Sequence, residues 1–132
     1  MSDLIHVSAA IILDARGRVL FVRKAGTGVL MQPGGKPEPG EDAADCLVRE
    51  LREELSLVVP RAALRAAGSF RSPAANEPGH TVVAEVFHLD GEGLEPVVGA
   101  EIAELRWVTR AEAPGLPLAP LSRDHLLPLV WG

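Results

Sequence analysis

Three glutamates, Glu50, Glu53 and Glu54, fall within little more than one helical turn of the segment Cys46-Leu-Val-Arg-Glu-Leu-Arg-Glu-Glu-Leu55. At about 100° per residue, Glu53 and Glu54 lie within roughly 60° on either side of Glu50. Ala44, Leu47, Val48, Leu51 and Leu55 share the neighbouring, apolar face. Like charges at i, i+3 and i+4 repel by a few tenths of a kcal/mol per pair. A helix that collects them is therefore either well solvated on that face or built to hold cations. Hard cations such as Mg²⁺ and Mn²⁺ take oxygen ligands, usually carboxylates together with the phosphates of a substrate. Spacing alone permits both readings.

The elements around the helix bear on the choice. Gly34-Gly35 precedes it, with Pro33, Pro37 and Pro39 keeping the approach out of helix. A flexible glycine pair can bring a backbone carbonyl, that of Gly35, to the carboxylates. Asp42 is the expected N-cap, with Asp45 three residues on in the manner of a capping box. Arg49 stands four residues before Glu53 and can pair with it. Glu41 is better placed to order the loop, or to hold a cation's water, than to bind a cation directly. The helix is expected to stop around Leu55–Ser56.

His6–Leu13 and Arg18–Lys24 read as strands joined by the turn Asp14–Gly17, and a hairpin is expected from them. Leu30–Gln32 is a short extended piece. Arg65–Ser72 and Thr81–Leu89 are further strands, the latter the clearest central one. A short strand is expected at Glu95–Val98 and another within Glu101–Val108. Ser122–Val130 reads as a terminal helix with Pro128 as an obstacle. Strands outnumber helices and do not alternate with them, so the fold class is α+β.

With 132 residues, the chain is read as one domain, residues 1–132, able to bury a core. It has no apolar run long enough to span a bilayer and no signal-peptide layout, so no membrane role is expected. A single cysteine, Cys46, read as a small semi-buried residue, excludes an internal disulfide and suits a reducing cytoplasm. The net charge of −5 argues against polymeric nucleic acid, whose binding runs on Lys/Arg patches. A small phosphorylated ligand accompanied by divalent cations is compatible with it. The state of association is left as monomer or homodimer.

The segment also has the layout of a known family. Gly35, five residues, Glu41, seven residues, Arg49-Glu50-Leu51-x-Glu53-Glu54, one residue, then Ser56-Leu57 closely resembles the Nudix box, matching eight of nine specified positions. The apolar first strand, Pro33-Gly34-Gly35 and the later Glu104-Leu-Arg-Trp-Val108 are also similar to that family. The resemblance implies a Nudix fold, a mixed β-sheet packed between helices as an α/β/α sandwich. It implies Mg²⁺- or Mn²⁺-dependent hydrolysis of a diphosphate linkage in a nucleoside diphosphate derivative. Glu53 and Glu54 would be metal ligands, Glu50 a ligand or the base, and the Gly35 carbonyl a further ligand. Arg49 would hold the glutamates in place. Glu101, six residues before Trp107, is the first alternative base and Glu104 the second. Arg23, Lys24, Gly34, Gly35 and His80 are the expected substrate contacts. A Nudix-fold binding or sensor module without catalysis is the alternative of a different class.

One position departs from the box, with Ser56 where the family has glycine. A glycine there serves a left-handed helix cap. A serine keeping that conformation would cost roughly 1–2 kcal/mol, so a locally altered helix end is expected. MutT-type enzymes present an asparagine to the purine near the last helix. Ala119-Pro-Leu-Ser-Arg-Asp124 has none, which lowers oxidised dGTP among the possible substrates.

Overall fold

The computed structural model describes residues 3–99 and 101–132. Its strands are β1 (Leu4–Leu13), β2 (Val19–Lys24), β3 (Leu30–Met31), β4 (Gly34–Gly35), β5 (Arg65–Pro73), β6 (Thr81–Asp90) and β7 (Ile102–Val108). Helix α1 spans Ala43–Leu55 and α2 spans Leu127–Trp131. The main sheet runs β3-β2-β1-β6-β5, with β7 on β2 and β4 on β1.

β2 and the Ser8–Ile12 part of β1 are buried on both faces, in keeping with their largely apolar sequences. On one face Ala10, Ile12, Leu20 and Val22 pack against Leu47, Leu51 and Leu55 of α1. On the other, Ile11, Val19, Phe21, Ala84 and Val86 pack against Leu126 and Leu127. The result is the expected layered arrangement, a mixed sheet between helices. β6 lies between β1 and β5, in the central place its sequence predicted.

Several expectations are borne out in altered form or corrected. β1 and β2 pair antiparallel as the expected hairpin, but their ladder is confined to Leu13↔Val19. On its other edge β1 pairs in parallel with β6 along its whole length, and β2 pairs antiparallel with β7. Glu95–Val98 forms no strand. It is a strap whose backbone satisfies the end of α1, with Val97 N donating to Leu55 O at 2.9 Å and Gly99 N to Glu54 O at 2.7 Å. Gly34-Gly35 is no loose loop, because it pairs with Ser8 and Ala9 of β1. The terminal helix breaks into a π-helical turn, Ser122–Leu126, and then α2, with Pro128 at its start. Proline lacks the N–H that an unbroken helix would use there.

The start of α1 follows its sequence. Asp42 Oδ1 accepts from Asp45 N at 2.8 Å. The Asp45 carboxylate does not reach back as in a full capping box but pairs with Arg61 at 2.6 Å. The far end departs from expectation. Ser56 keeps the left-handed conformation, φ 55° and ψ 28°, and the helix end is unaltered. Its N–H donates to Arg52 O at 3.1 Å, the 5→1 closure of a left-handed helix cap, and that of Leu57 reaches Leu51 O at 3.1 Å. The carbonyls satisfied at this turn hold the serine in a conformation it would otherwise avoid.

Candidate active site

The three glutamates of α1 occupy three different environments. Glu53 is 53% exposed and pairs with Arg49 Nη1 at 3.2 Å. Glu50 is mostly covered and also reaches Arg49 Nη1, at 3.3 Å. Glu54 is 7% exposed and buried beneath β4, where Oε1 accepts from Gly34 N at 3.0 Å. Its other oxygen lies 3.9 Å from Lys24 Nζ. Burial pushes the Glu54 carboxyl up to about 7, against the pull of the Gly34 N–H and of Lys24, while the charges of Glu50 and Glu101 push it further. Burial likewise raises Glu50, opposed by Arg49.

Arg49 is the hub of this cluster. Its Nε lies 2.7 Å from Glu41 Oε2 and 3.1 Å from Glu38 Oε1, and Nη2 donates to Lys36 O at 3.1 Å. The pairing with Glu53 expected from sequence is present, but Glu41 is the shorter partner. Glu41 also accepts from Glu38 N at 2.8 Å, so it orders the loop as expected.

The two glycines ahead of α1 serve different ends. At Gly34 (φ 151°) a Cβ would lie 1.9 Å from the backbone oxygen of Ser8, so the close approach to β1 requires glycine. At Gly35 a Cβ would lie 1.7 Å from Glu50 Oε2, so that missing side chain makes room for the glutamate. The Gly35 carbonyl faces the Cys46 thiol, with Sγ at 3.5 Å. Cys46 is fully buried, deeper than the semi-buried place expected, and burial raises its thiol pKa.

Among the described residues, no three His, Cys, Asp or Glu side chains are drawn together as a ready metal cage. Arg49 holds the carboxylate of Glu53, and Gly34 holds that of Glu54. The donor set is nonetheless all oxygen, on a rigid helix, with a cradle at Gly35 kept open for Glu50. That chemistry fits a hard divalent cation that keeps several waters.

Of the expected substrate contacts, Lys24 and Gly35 line one cleft of about 480 Å³, together with Glu50, Lys36, Thr27, Asn76 and Glu77. Arg23 is engaged by Glu104 at 3.1 Å and by the Thr27 carbonyl at 3.0 Å. That pairing also occupies Glu104, the second alternative base. His80 is exposed, with Nδ1 3.2 Å from Pro78 O, and it is Ala74–Glu77 of the same loop that line the cleft. Glu101 has a left-handed backbone (φ 68°) and its carbonyl accepts from Ala25 N at 2.8 Å. Trp107 packs against the α1-side core, with Arg18 over its ring at 5.8 Å. The cleft residues Asn76 and Lys36 were not found from sequence, because single polar residues in loops carry no periodic signal.

The family model of the NUDIX domain matches residues 4–130. The chain belongs to the NUDIX domain family. A Nudix hydrolase of Bacillus subtilis (strain 168), YvcI, is 29% identical over 120 residues, covering 88% of this chain and 73% of its own. A putative 8-oxo-dGTP diphosphatase 3 of Mycobacterium tuberculosis is 35% identical over 103 residues, covering 78% of this chain. The chain spans only 46% of that second relative. The crystal structure of a MutT protein from Methanosarcina mazei Go1 superimposes with a TM-score of 0.71 at 25% identity, covering 89% of this chain and 86% of that one. The fold is thus the Nudix fold, and the chain is an enzyme of the Nudix pyrophosphohydrolase type. No helix among the described residues is long and apolar enough to cross a membrane.

Proposed function

We propose that this Nudix enzyme hydrolyses a phosphoric-anhydride linkage in a nucleoside diphosphate derivative, using Mg²⁺ or Mn²⁺. Its products would be a nucleoside monophosphate and phosphate, pyrophosphate or a phosphorylated group. The observation that carries this reading is the buried Glu54 carboxyl under the Gly34 N–H, beside Lys24 and next to the Glu50 cradle at a cleft. Carboxylates are buried at such cost only where a partner compensates.

Glu50, Glu53 and Glu54, with the Gly35 carbonyl, would hold the cation. A bound divalent ion supplies neutralisation of the diphosphate charge and a water of lowered pKa. The chain's own residues do the rest. Arg49 fixes the rotamers of Glu50 and Glu53 from one guanidinium. Lys24 meets the substrate phosphates at the cleft wall. Glu50, made more basic by burial, is the proposed proton acceptor within the helix. Glu101 is the proposed alternative, near enough for its charge to reach Glu54. Arg23 and His80, engaged elsewhere here, would contact substrate only after exchanging those partners. The expected setting is the cytoplasm, in keeping with the reduced, buried Cys46.

The test is hydrolysis of dNTPs, ADP-ribose, dinucleoside polyphosphates and nucleotide sugars with Mg²⁺, identifying products. Glu53→Gln is expected to lower turnover by orders of magnitude, with the thermal transition unchanged because Glu53 is exposed. Unchanged turnover in that variant would remove the metal-site reading.

A further inference from the structure

Gln32, immediately before Pro33-Gly34-Gly35, is 6% exposed and lines a second cavity of about 110 Å³. This cavity shares Val7, Lys24, Met31, Gly35, Ala75 and Val82 with the Glu50 cleft, so it forms the inner end of one continuous depression. The diphosphate chemistry proposed above uses the mouth of that depression and leaves the inner end unexplained. Its walls are largely apolar, and the polar side chains that line it are Ser8, Lys24, Gln32 and Ser122.

Gln32 and Ser122 are joined, Ser122 Oγ donating to Gln32 Oε1. That bond orients the carboxamide and engages one lone pair of its oxygen. The amide nitrogen Nε2 is buried and has no partner. A second buried atom without a partner, Ser72 Oγ, stands on β5 opposite Val82, a wall residue of the same cavity. Buried polar atoms are almost always paired in native proteins. An oriented amide donor left unpaired in the lining of a cavity that adjoins the cleft is what a site leaves for an acceptor on its ligand.

We propose that Gln32, oriented by Ser122, is a specificity-determining residue that donates through Nε2 to a carbonyl oxygen on the heterocycle of the nucleotide, enclosed by the inner cavity. The proposal rests on the nucleotide reading above and adds which group is read and by which atoms. With Oε1 already bonded to Ser122 and Nε2 unpaired, Gln32 presents its N–H to the ligand. Bases that set a carbonyl oxygen against that N–H are favoured over adenine, which carries an amino donor where guanine carries its carbonyl. A site built to donate a hydrogen bond discriminates strongly against a ligand that cannot accept it, because the buried donor is then left unpaired.

The experiment has two arms. In the first, kcat/KM with Mg²⁺ is measured for dGTP, dTTP, dCTP and dATP in the wild type, Gln32→Met and Gln32→Glu. The wild type is expected to favour the carbonyl-bearing bases. Gln32→Met should lower kcat/KM for the preferred one by about 10- to 100-fold, largely through KM, and change dATP by less than about threefold. Its melting temperature should shift by no more than a few degrees, since one unpaired buried donor is removed while the buried Ser122 hydroxyl loses its acceptor. Gln32→Glu, which places an acceptor there, should lose the carbonyl preference altogether. In the second arm, binding of GMP, UMP, CMP and AMP to the metal-free protein is followed by calorimetry, with Gln32→Met weakening the preferred ligand about tenfold. Absence of hydrolysis alone counts against the nucleotide-hydrolase reading, and the binding arm still decides the role of Gln32. Base preferences unchanged by both variants, or a wild type that binds none of the monophosphates, would overturn the inference.

Discussion

The Glu54 carboxyl makes the stability of the metal-free protein depend on pH in a direction opposite to that of an ordinary surface carboxylate. Its folded-state pKa is raised from 4.5 to about 7, mainly by burial. Between those values the folded protein holds a proton that the unfolded chain has released, so stability falls as pH rises through that window. At roughly 1.4 kcal/mol per pH unit, the full difference is on the order of 3 kcal/mol. Glu54→Gln, a near-isostere of the protonated acid, keeps an oxygen for the Gly34 N–H and removes the titration. Urea unfolding in chelator at pH 5 should then give similar free energies for the two proteins. By pH 8 the glutamine variant should be more stable by about 3 kcal/mol. Adding Mg²⁺ at pH 8 should raise wild-type stability and leave the variant nearly unmoved, because a cation binding the folded state stabilises it by mass action. Unfolding free energies of wild type and variant that run parallel from pH 5 to 8 would refute the reasoning, since Glu54 would then carry no unusual proton.

Other perturbations separate structure from function at single positions. Ser56→Gly should stabilise the protein by about 1 kcal/mol, the left-handed cost less the entropy gained by the unfolded chain, and raise Tm by a few degrees in a thermal scan. Gly35→Ala should leave stability within about 1 kcal/mol, because the obstructed atoms belong to the movable end of Glu50. It should nonetheless weaken Mg²⁺ binding, read by titration calorimetry, by tenfold or more. Arg49→Lys keeps the charge but not the planar fork that serves Glu41, Glu50 and Glu53 at once, so kcat should fall at least tenfold with the far-UV spectrum retained.

Much of the fold could be read from the sequence where the signal was periodic or local. The apolar face of α1, its Asp42 cap and the central place of β6 are of this kind. The departures come from tertiary choices that outweigh local ones. β1 finds its long ladder in β6 while its hairpin with β2 stays short, Gly34-Gly35 is recruited into the sheet, and the Glu95–Val98 segment spends its backbone donors on the end of α1. At Ser56 the penalty was foreseen but not the outcome, because the hydrogen bonds that hold it follow from the whole turn. In the site, residue types placed the glutamates on one helix, but spacing treats Glu53 and Glu54 as near equals. One is exposed and held by Arg49, the other buried under Gly34, and that difference is set by the strand lying across the helix. Gln32 was hidden because a single polar residue beside an apolar pair looks like a strand end. Its unpaired nitrogen exists only once Ser122 is folded against it.

The parallel ladder of β1 and β6 also sets how this chain reaches its native state. Leu4 meets Thr81 and Leu13 meets Asp90, so the middle of the sheet is closed by contacts between segments far apart in the chain. Such contacts form only after a long loop has been closed, which slows the search relative to a fold built on hairpins. Until β6 is available, the apolar β1 has little more than a single ladder pair with β2 and two with β4 to shelter it. The interval before that closure is when this protein is most open to association with other unfinished chains.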